Sequence, residues 1–273
     1  MTIIKKIGLI AGEGEFPLLF AQEARSRGVE VVTVAVKNHT SAEIGRYSDK
    51  IEWISLGGLG ALVQFFKQEK VQEAIMAGRV PKPDFIQGAV DADEQLLAVL
   101  AKTPDHRDTT LLNALISELE RSGIRLLDSS LFLQSHLARE GVLGKQNPSS
   151  DHWKDIELGK EAAKKLGDLD IGQTVVVKNR AVVAVEGLEG TDETVRRAGK
   201  IAGEGIVVVK MARPKQDMRF DIPVVGLKTL ETLAQVKASV LAIEAGKTLI
   251  LQQEVFVKRA DESKLAVVGV RNQ

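Results

Sequence analysis

The sequence predicts an α/β protein: a doubly wound, Rossmann-like N-terminal domain and a second, mixed α/β C-terminal domain. Three observations carry this. Short apolar, β-branched runs alternate with helical periodicities through the first half, the pattern of a parallel sheet with crossover helices. Val29–Val36 is apolar almost without interruption, which suits a strand buried on both faces. The second half has more strands, and Lys178-Asn179-Arg180 reads as a hairpin turn between two of them.

In order, Ile3–Ala11 is a strand ending in Gly12-Glu-Gly14, and Phe16–Arg27 is a helix with Phe16, Leu19, Phe20 and Ala24 on one face. Gly28 closes that helix. Val29–Val36 and Ile51–Leu56 are strands two and three. Gly57-Gly58 leads into a helix over Leu59–Lys70, and Ala74–Ala77 is the fourth strand. Asp91–Leu100 and Thr109–Ser122 read as helices and Ile124–Leu127 as a short strand. The boundaries expected are 1–130, a linker over 131–148, and 149–273. Gly144-Lys-Gln-Asn-Pro148-Ser-Ser has linker composition, and Ser149/Ser150 marks the cap of a helix through Leu166. Strands follow at Thr174–Lys178, Ala181–Glu186, Gly205–Val209, Val224–Gly226, Thr248–Leu251 and Leu265–Val270. Helices are expected over Thr191–Ile201, Leu230–Ala238 and Val255–Asp261.

Composition excludes several functions. Lys+Arg and Asp+Glu are both 37, so no global field attracts nucleic acid, and aromatic residues are too sparse for base stacking. There is no cysteine, hence no disulfide, thiolate nucleophile or Cys-bound zinc. The four histidines have no metal-ligand spacing. The N-terminus lacks signal-peptide shape and no apolar run reaches the ~18 residues of a membrane span. A soluble, cytoplasmic protein is expected, with peripheral contact at a membrane surface and a homodimeric state left open.

Two clusters carry chemistry. Glu186-Gly-Leu-Glu189-Gly-Thr191-Asp192 and Lys210-Met-Ala-Arg213-Pro-Lys215-Gln216-Asp217-Met-Arg219-Phe-Asp221 place carboxylates beside cations and small-residue turns. That combination equips a site for a phosphate ester or anhydride held with a divalent ion. An acidic turn and a solvated charged loop is the plainer reading. Gly12-Glu-Gly14-Glu-Phe-Pro17 opens a helix after strand one, where a phosphate meets backbone N–H groups. Pro17 replaces the third glycine of a dinucleotide fingerprint and Lys37 stands where an acidic ribose ligand belongs, which argues against NAD. A tight turn without ligand fits equally.

The ordered set of motifs resembles one family. It comprises Gly8-Leu-Ile-Ala-Gly12-x-Gly14-x-x-Pro17, Ala77-Gly78-x-Val80-x-x-Pro83-Asp84-Phe85, Leu169-Asp-Ile-Gly172-Gln173, Ala184-Val-Glu186-x-x-Glu189-Gly-Thr191-Asp192, Pro214-x-Gln216-Asp217-x-Arg219-Phe220-Asp221-x-Pro223 and Glu244-Ala-Gly246. This resembles the UDP-2,3-diacylglucosamine pyrophosphatases of lipid A synthesis that are unrelated to calcineurin-like phosphoesterases. The resemblance covers nearly the whole chain. It implies a second domain of unusual topology, substrate held between the domains, and Mg²⁺-dependent hydrolysis (Mn²⁺ also suits the oxygen donors). Water would attack the sugar-side β-phosphorus, giving UMP and 2,3-diacylglucosamine 1-phosphate. Arg213 departs from an expected lysine and turns a point charge into a fork.

The resemblance puts the essential carboxylate at Asp221, as metal ligand or general base, with Gln216 and Asp217 completing the catalytic set. Asp192, Glu189 and Glu186 are the other candidate metal ligands. Thr191, Lys210, Arg213, Lys215, Arg219 and Glu244 are candidates for the phosphates and backbone approach, and Gly12, Gly14 and Arg79 for the nucleotide. Each has a plainer alternative: Thr191 as a helix cap, Glu244-Ala-Gly246 as a helix–turn closure, Arg79 paired with Asp84. The acyl chains need an apolar groove, for which Leu131–Leu137 is a candidate, though core packing explains it as well. A non-catalytic sugar-nucleotide sensor is the main competing function and an oxidoreductase a weaker one.

Overall fold

A computed structural model describes residues 4–79, 91–103, 108–214 and 216–271. The chain divides into two compact units, 1–132 with Met218–Phe220, and 133–217 with 221–273. Among the described residues no helix is long and apolar enough to cross a membrane.

The first unit holds strands β1 (Lys6–Ala11), β2 (Glu30–Val36), β3 (Lys50–Ile54), β4 (Glu73–Ala77) and β5 (Arg125–Leu126) in the order β3-β2-β1-β4-β5. Every pairing is parallel. This is the doubly wound α/β arrangement the alternation predicts, with the order reversing beside β1. Helix α1 (Phe16–Ser26) buries Phe16, Phe20, Ala21 and Ala24. Helices α2 (Leu59–Gln68), α3 (Glu94–Leu100) and α4 (Asp108–Arg121) join β2 in another core through Leu62, Phe66, Leu96, Ile116 and Leu119. Phe220 packs against that core. Ser129 fastens the same segment, since its N–H donates to Met218 O at 3.0 Å and its Oγ to Arg219 O at 2.8 Å.

The second unit carries β6 (Gly141–Val142), β7 (Thr174–Lys178), β8 (Ala181–Val185), β9 (Val207–Lys210), β11 (Val240–Glu244) and β13 (Ala266–Val270) in the order β6-β13-β11-β9-β7-β8. The centre, β13-β11-β9, is parallel, while β7, β8 and β6 add antiparallel. A small parallel pair, β10 (Val224–Val225) with β12 (Leu249–Ile250), stands apart. Helix α5 (Ser150–Asp168) starts on a capping box made by Ser149 and His152, and its Ile156 and Ala163 pack on Val175, Val177, Val207 and Val209. Helices α6 (Thr191–Ala202), α7 (Leu227–Gln235) and α8 (Gln253–Glu262) close a separate core with Val195, Leu233 and Phe256.

Three expectations change. Gly141–Val142, inside the expected linker, is a strand paired with Val268 and Gly269. Strand β11 lay hidden because Val240–Ile243 is fully apolar and continues the helical pattern before it. Consequently Glu244 ends a buried strand rather than a helix. Leu131–Leu137 holds a 3₁₀ turn at Gln134–His136 and a bridge from Leu137 to Leu249, and Leu133 and Leu137 are buried. Those two leucines are core and line no acyl groove.

Candidate active site

The second unit gathers its candidates around the exit of β9. Val207–Lys210 is buried throughout, so the strand carries Lys210 into a nearly sealed position. A buried ammonium is tolerable only with partners. Lys210 Nζ donates to Thr191 Oγ1 at 2.8 Å, and Thr191 Oγ1 donates to Glu186 Oε1 at 2.9 Å. Thr174 Oγ1 lies 3.3 Å from Thr191 Oγ1, and its hydroxyl also bonds the Glu186 carboxylate. The Gln173 N–H reaches Glu186 Oε2 at 3.3 Å. Burial pushes the Glu186 carboxyl up, but Lys210 and the hydrogen bonds from Thr174, Thr191 and Gln173 outweigh it, so its pKa is lowered.

Thr191 is the first residue of α6 rather than its cap; Gly190, at φ +81°, holds that position with no side-chain cap bond. The hydroxyl therefore faces the lysine at the positive end of a 12-residue helix. Gly172 is required for this geometry. A Cβ there would stand 2.1 Å from Glu186 O, so no side chain fits between the two loops.

Beyond Lys210 the strand continues under restraint. Met211 N–H donates to Gln173 O at 2.9 Å and Ala212 N–H to Glu244 Oε2 at 2.8 Å. The other Glu244 oxygen meets Lys247 at 2.8 Å. Glu244, almost fully buried, thus anchors the segment that bears Lys210 and Arg213. Arg213 donates to Asp170 and stands 4.0 Å from Asp221 Oδ2. Its N–H donates to Gln216 Oε1 at 2.6 Å, and Gln216 Nε2 donates to Asp221 O. Asp221 N–H in turn reaches Asp217 O at 3.0 Å. Gln216 and Asp217 therefore brace the backbone that presents Asp221.

Other candidates are placed differently. Glu189 accepts from Gly187 N–H (3.0 Å), Thr194 (3.2 Å) and Arg197 (2.6 Å). Desolvation raises its pKa, and the hydrogen bonds, among them those of Arg197, Thr194 and Gly187, carry it below the ordinary value. Asp192 accepts from Thr229 at 3.1 Å. Arg219 belongs to the first unit, 3.1 Å from Glu120. In that unit the N–H groups of Gly12 and Glu13 donate to Ala77 O and Arg79 O, each at 2.8 Å. A Cβ at Gly12 would lie 2.7 Å from Arg79 O, and Arg79 pairs with Glu13 at 2.9 Å. Those two amides are engaged in a backbone bridge, and Gly14, at φ +101° with open space beside it, is the residue of the turn left to approach a ligand. Lys215 and the motif residues Val80, Pro83, Asp84 and Phe85 lie outside the described residues.

Among the described residues no three acidic or histidine side chains gather to hold a metal. Glu186, Glu189 and Asp192 each have the separate partners given above. The donors fit a hard cation taken by one carboxylate together with substrate phosphates, the usual habit of Mg²⁺, and do not fit a cage made by protein alone. Asp221, about a third exposed at its side chain, is the carboxylate suited to that role.

Asp170 was not singled out by the sequence, although Leu169-Asp-Ile-Gly172-Gln173 stood in the motif set. Its partner Arg213 is 43 residues away, beyond any local pattern.

Sequence models of the LpxI N-terminal domain and the LpxI C-terminal domain match residues 6–136 and 139–268. The UDP-2,3-diacylglucosamine pyrophosphatase LpxI of Caulobacter vibrioides is 29% identical over 280 aligned positions, covering 99% of each chain. Among solved structures, the biotin carboxylase domain of a thermophilic 2-oxoglutarate carboxylase aligns at a TM-score of 0.29 and 14% identity, over 74% of this chain and 33% of that one. A biotin carboxylase from Campylobacter jejuni aligns at 0.28 and 14%, over 73% and 42%. The chain thus spans less than half the length of either carboxylase.

Proposed function

We propose that this chain, which belongs to the LpxI family, hydrolyses the pyrophosphate of UDP-2,3-diacylglucosamine to UMP and 2,3-diacylglucosamine 1-phosphate. Membership makes it an enzyme, a hydrolase acting on a phosphoric anhydride. The observation that carries the reading is the buried Lys210–Thr191–Glu186 network at a helix N-terminus. A cation sealed from water, beside a positive helix end, favours a multiply charged phosphate more than an exposed lysine does.

Water attacks the β-phosphorus, the bond from that phosphorus to the bridging oxygen breaks, and the oxygen leaves with UMP. Lys210 and Arg213 offset the charge that develops on the bridging and non-bridging oxygens. Glu186 fixes Thr191, and through it the lysine. Asp221 orients the attacking water and draws off its proton, or would hold the cation beside the phosphates. Bound Mg²⁺ or Mn²⁺ supplies Lewis-acid polarisation of the phosphate oxygens.

Asp221→Ala is expected to lower turnover on the order of a thousandfold, equal to several kcal/mol of transition-state stabilisation, with its circular dichroism unchanged. Near-parental turnover by the folded variant would remove Asp221 from the chemistry. Exhaustive chelation is expected to stop the reaction and added Mg²⁺ to restore it. Full activity in chelator would leave Lys210 and Arg213 to carry the charge alone.

A further inference from the structure

Asp170 has no part in the bond-breaking step, yet it holds the guanidinium beside it. Arg213 Nη1 donates to Asp170 Oδ1 and stands 4.0 Å from Asp221 Oδ2, outside hydrogen-bond distance. Both partners are shielded, the Arg213 side chain 13% exposed and that of Asp170 20%, so the attraction exceeds that of a surface pair. The backbone fixes the rest. Gln216 takes the Arg213 N–H and gives its own amide to Asp221 O, which keeps Asp221 close to Arg213 whatever the side chains do. Two carboxylates therefore share one guanidinium: Asp170 holds it by a hydrogen bond, and Asp221 meets it only as a looser ion pair at 4.0 Å. Arg213 Nε is buried and has no hydrogen-bond partner among the described residues, a donor whose desolvation goes uncompensated until an acceptor arrives. Asp170 itself sits at φ +58°, a conformation Asp and Asn tolerate better than other non-glycine residues.

We propose that Asp170 is a positioning residue that keeps Arg213 at arm's length from Asp221, so that the guanidinium stays available to a phosphate and does not close into a hydrogen-bonded pair with the carboxylate. The inference rests on the pyrophosphatase reading for its consequence in turnover, but not for its geometry. Asp170→Asn removes the charge and keeps both the shape and the left-handed backbone. In a crystal structure of that variant, Arg213 is expected to have swung onto Asp221, with a nitrogen–oxygen distance of about 2.9 Å. With UDP-2,3-diacylglucosamine and Mg²⁺, kcat is expected to fall at least about tenfold with KM little changed. In an Arg213→Gln background the same Asp170→Asn change is expected to have no further effect, because there is no guanidinium left to misdirect.

A merely structural role would give equal losses in both backgrounds, and that result would overturn the proposal. So would a variant crystal in which Arg213 stays where it is, or an unchanged kcat. If the parent protein released no UMP, the pyrophosphatase reading would fall instead, and the position of Arg213 in the variant crystal would still decide this one.

Discussion

Lys210 and Glu186 are each nearly sealed from solvent, and each is tolerable there because of the other. Thr191 lies between them and commits its single proton to the carboxylate. The pKa of Glu186 is lowered on folding. Such a group adds stability that is present above its unfolded pKa, near the ordinary glutamate value of 4.5, and is lost as pH falls through the folded value. The parent is therefore expected to melt higher than Glu186→Gln at pH 7, with the gap closing as pH drops below about 4.5. Thermal melts of both proteins across that range check this, and a gap independent of pH would show that the glutamate is not held as its anion. The sequence made these residue types legible as a cluster but not their pairing. Glu186 and Glu189 looked alike as potential metal ligands, whereas one faces Lys210 and the other Arg197. Partner choice depends on which strand ends meet, and linear spacing does not contain that.

At the scale of elements, the loop 169–173 organises both charged groups. Its Asp170 takes Arg213, and its Gln173 backbone serves Glu186 through N–H and Met211 through C=O. Gly172 lets that loop lie directly on the backbone of Glu186. Gly172→Ala is expected to destabilise the protein by about 1–3 kcal/mol, the usual consequence of overpacking, and to lower kcat by displacing Glu186. Denaturant unfolding alongside steady-state kinetics reads both, and parental stability would mean that the loops part without strain. The strands of the first unit were legible because they are short, mostly apolar and separated by glycine turns or helices. Strand β11 was not, since a fully buried parallel strand has no alternation to separate it from a neighbouring helix. The Gly12–Gly14 turn was found at its place after β1, but its engagement by the 77–79 backbone depends on β4 lying beside β1.

Taken as a whole, the molecule has two units with separate cores, and the pieces do not follow chain order. Met218–Phe220 belongs with the first unit, through Ser129, Glu120 and the core that receives Phe220, while the residues on either side belong with the second. Nothing in the composition of that loop announces this; Arg219 and Asp221 are two residues apart in sequence and fall in different units. The balanced charge and absence of cysteine removed competing classes from the start, and the ordered motifs indicated the family. Hydrolysis of the sugar-nucleotide pyrophosphate at its β-phosphorus is the central claim. Its most direct test is one reaction of the full chain with UDP-2,3-diacylglucosamine and Mg²⁺ in ¹⁸O-labelled water, with both products weighed by mass spectrometry. The expected result is UMP and the acylated sugar 1-phosphate in equal amounts, with the heavy oxygen in the sugar phosphate alone. Label in UMP would place the attack on the other phosphorus, and no release of UMP would contradict the account altogether.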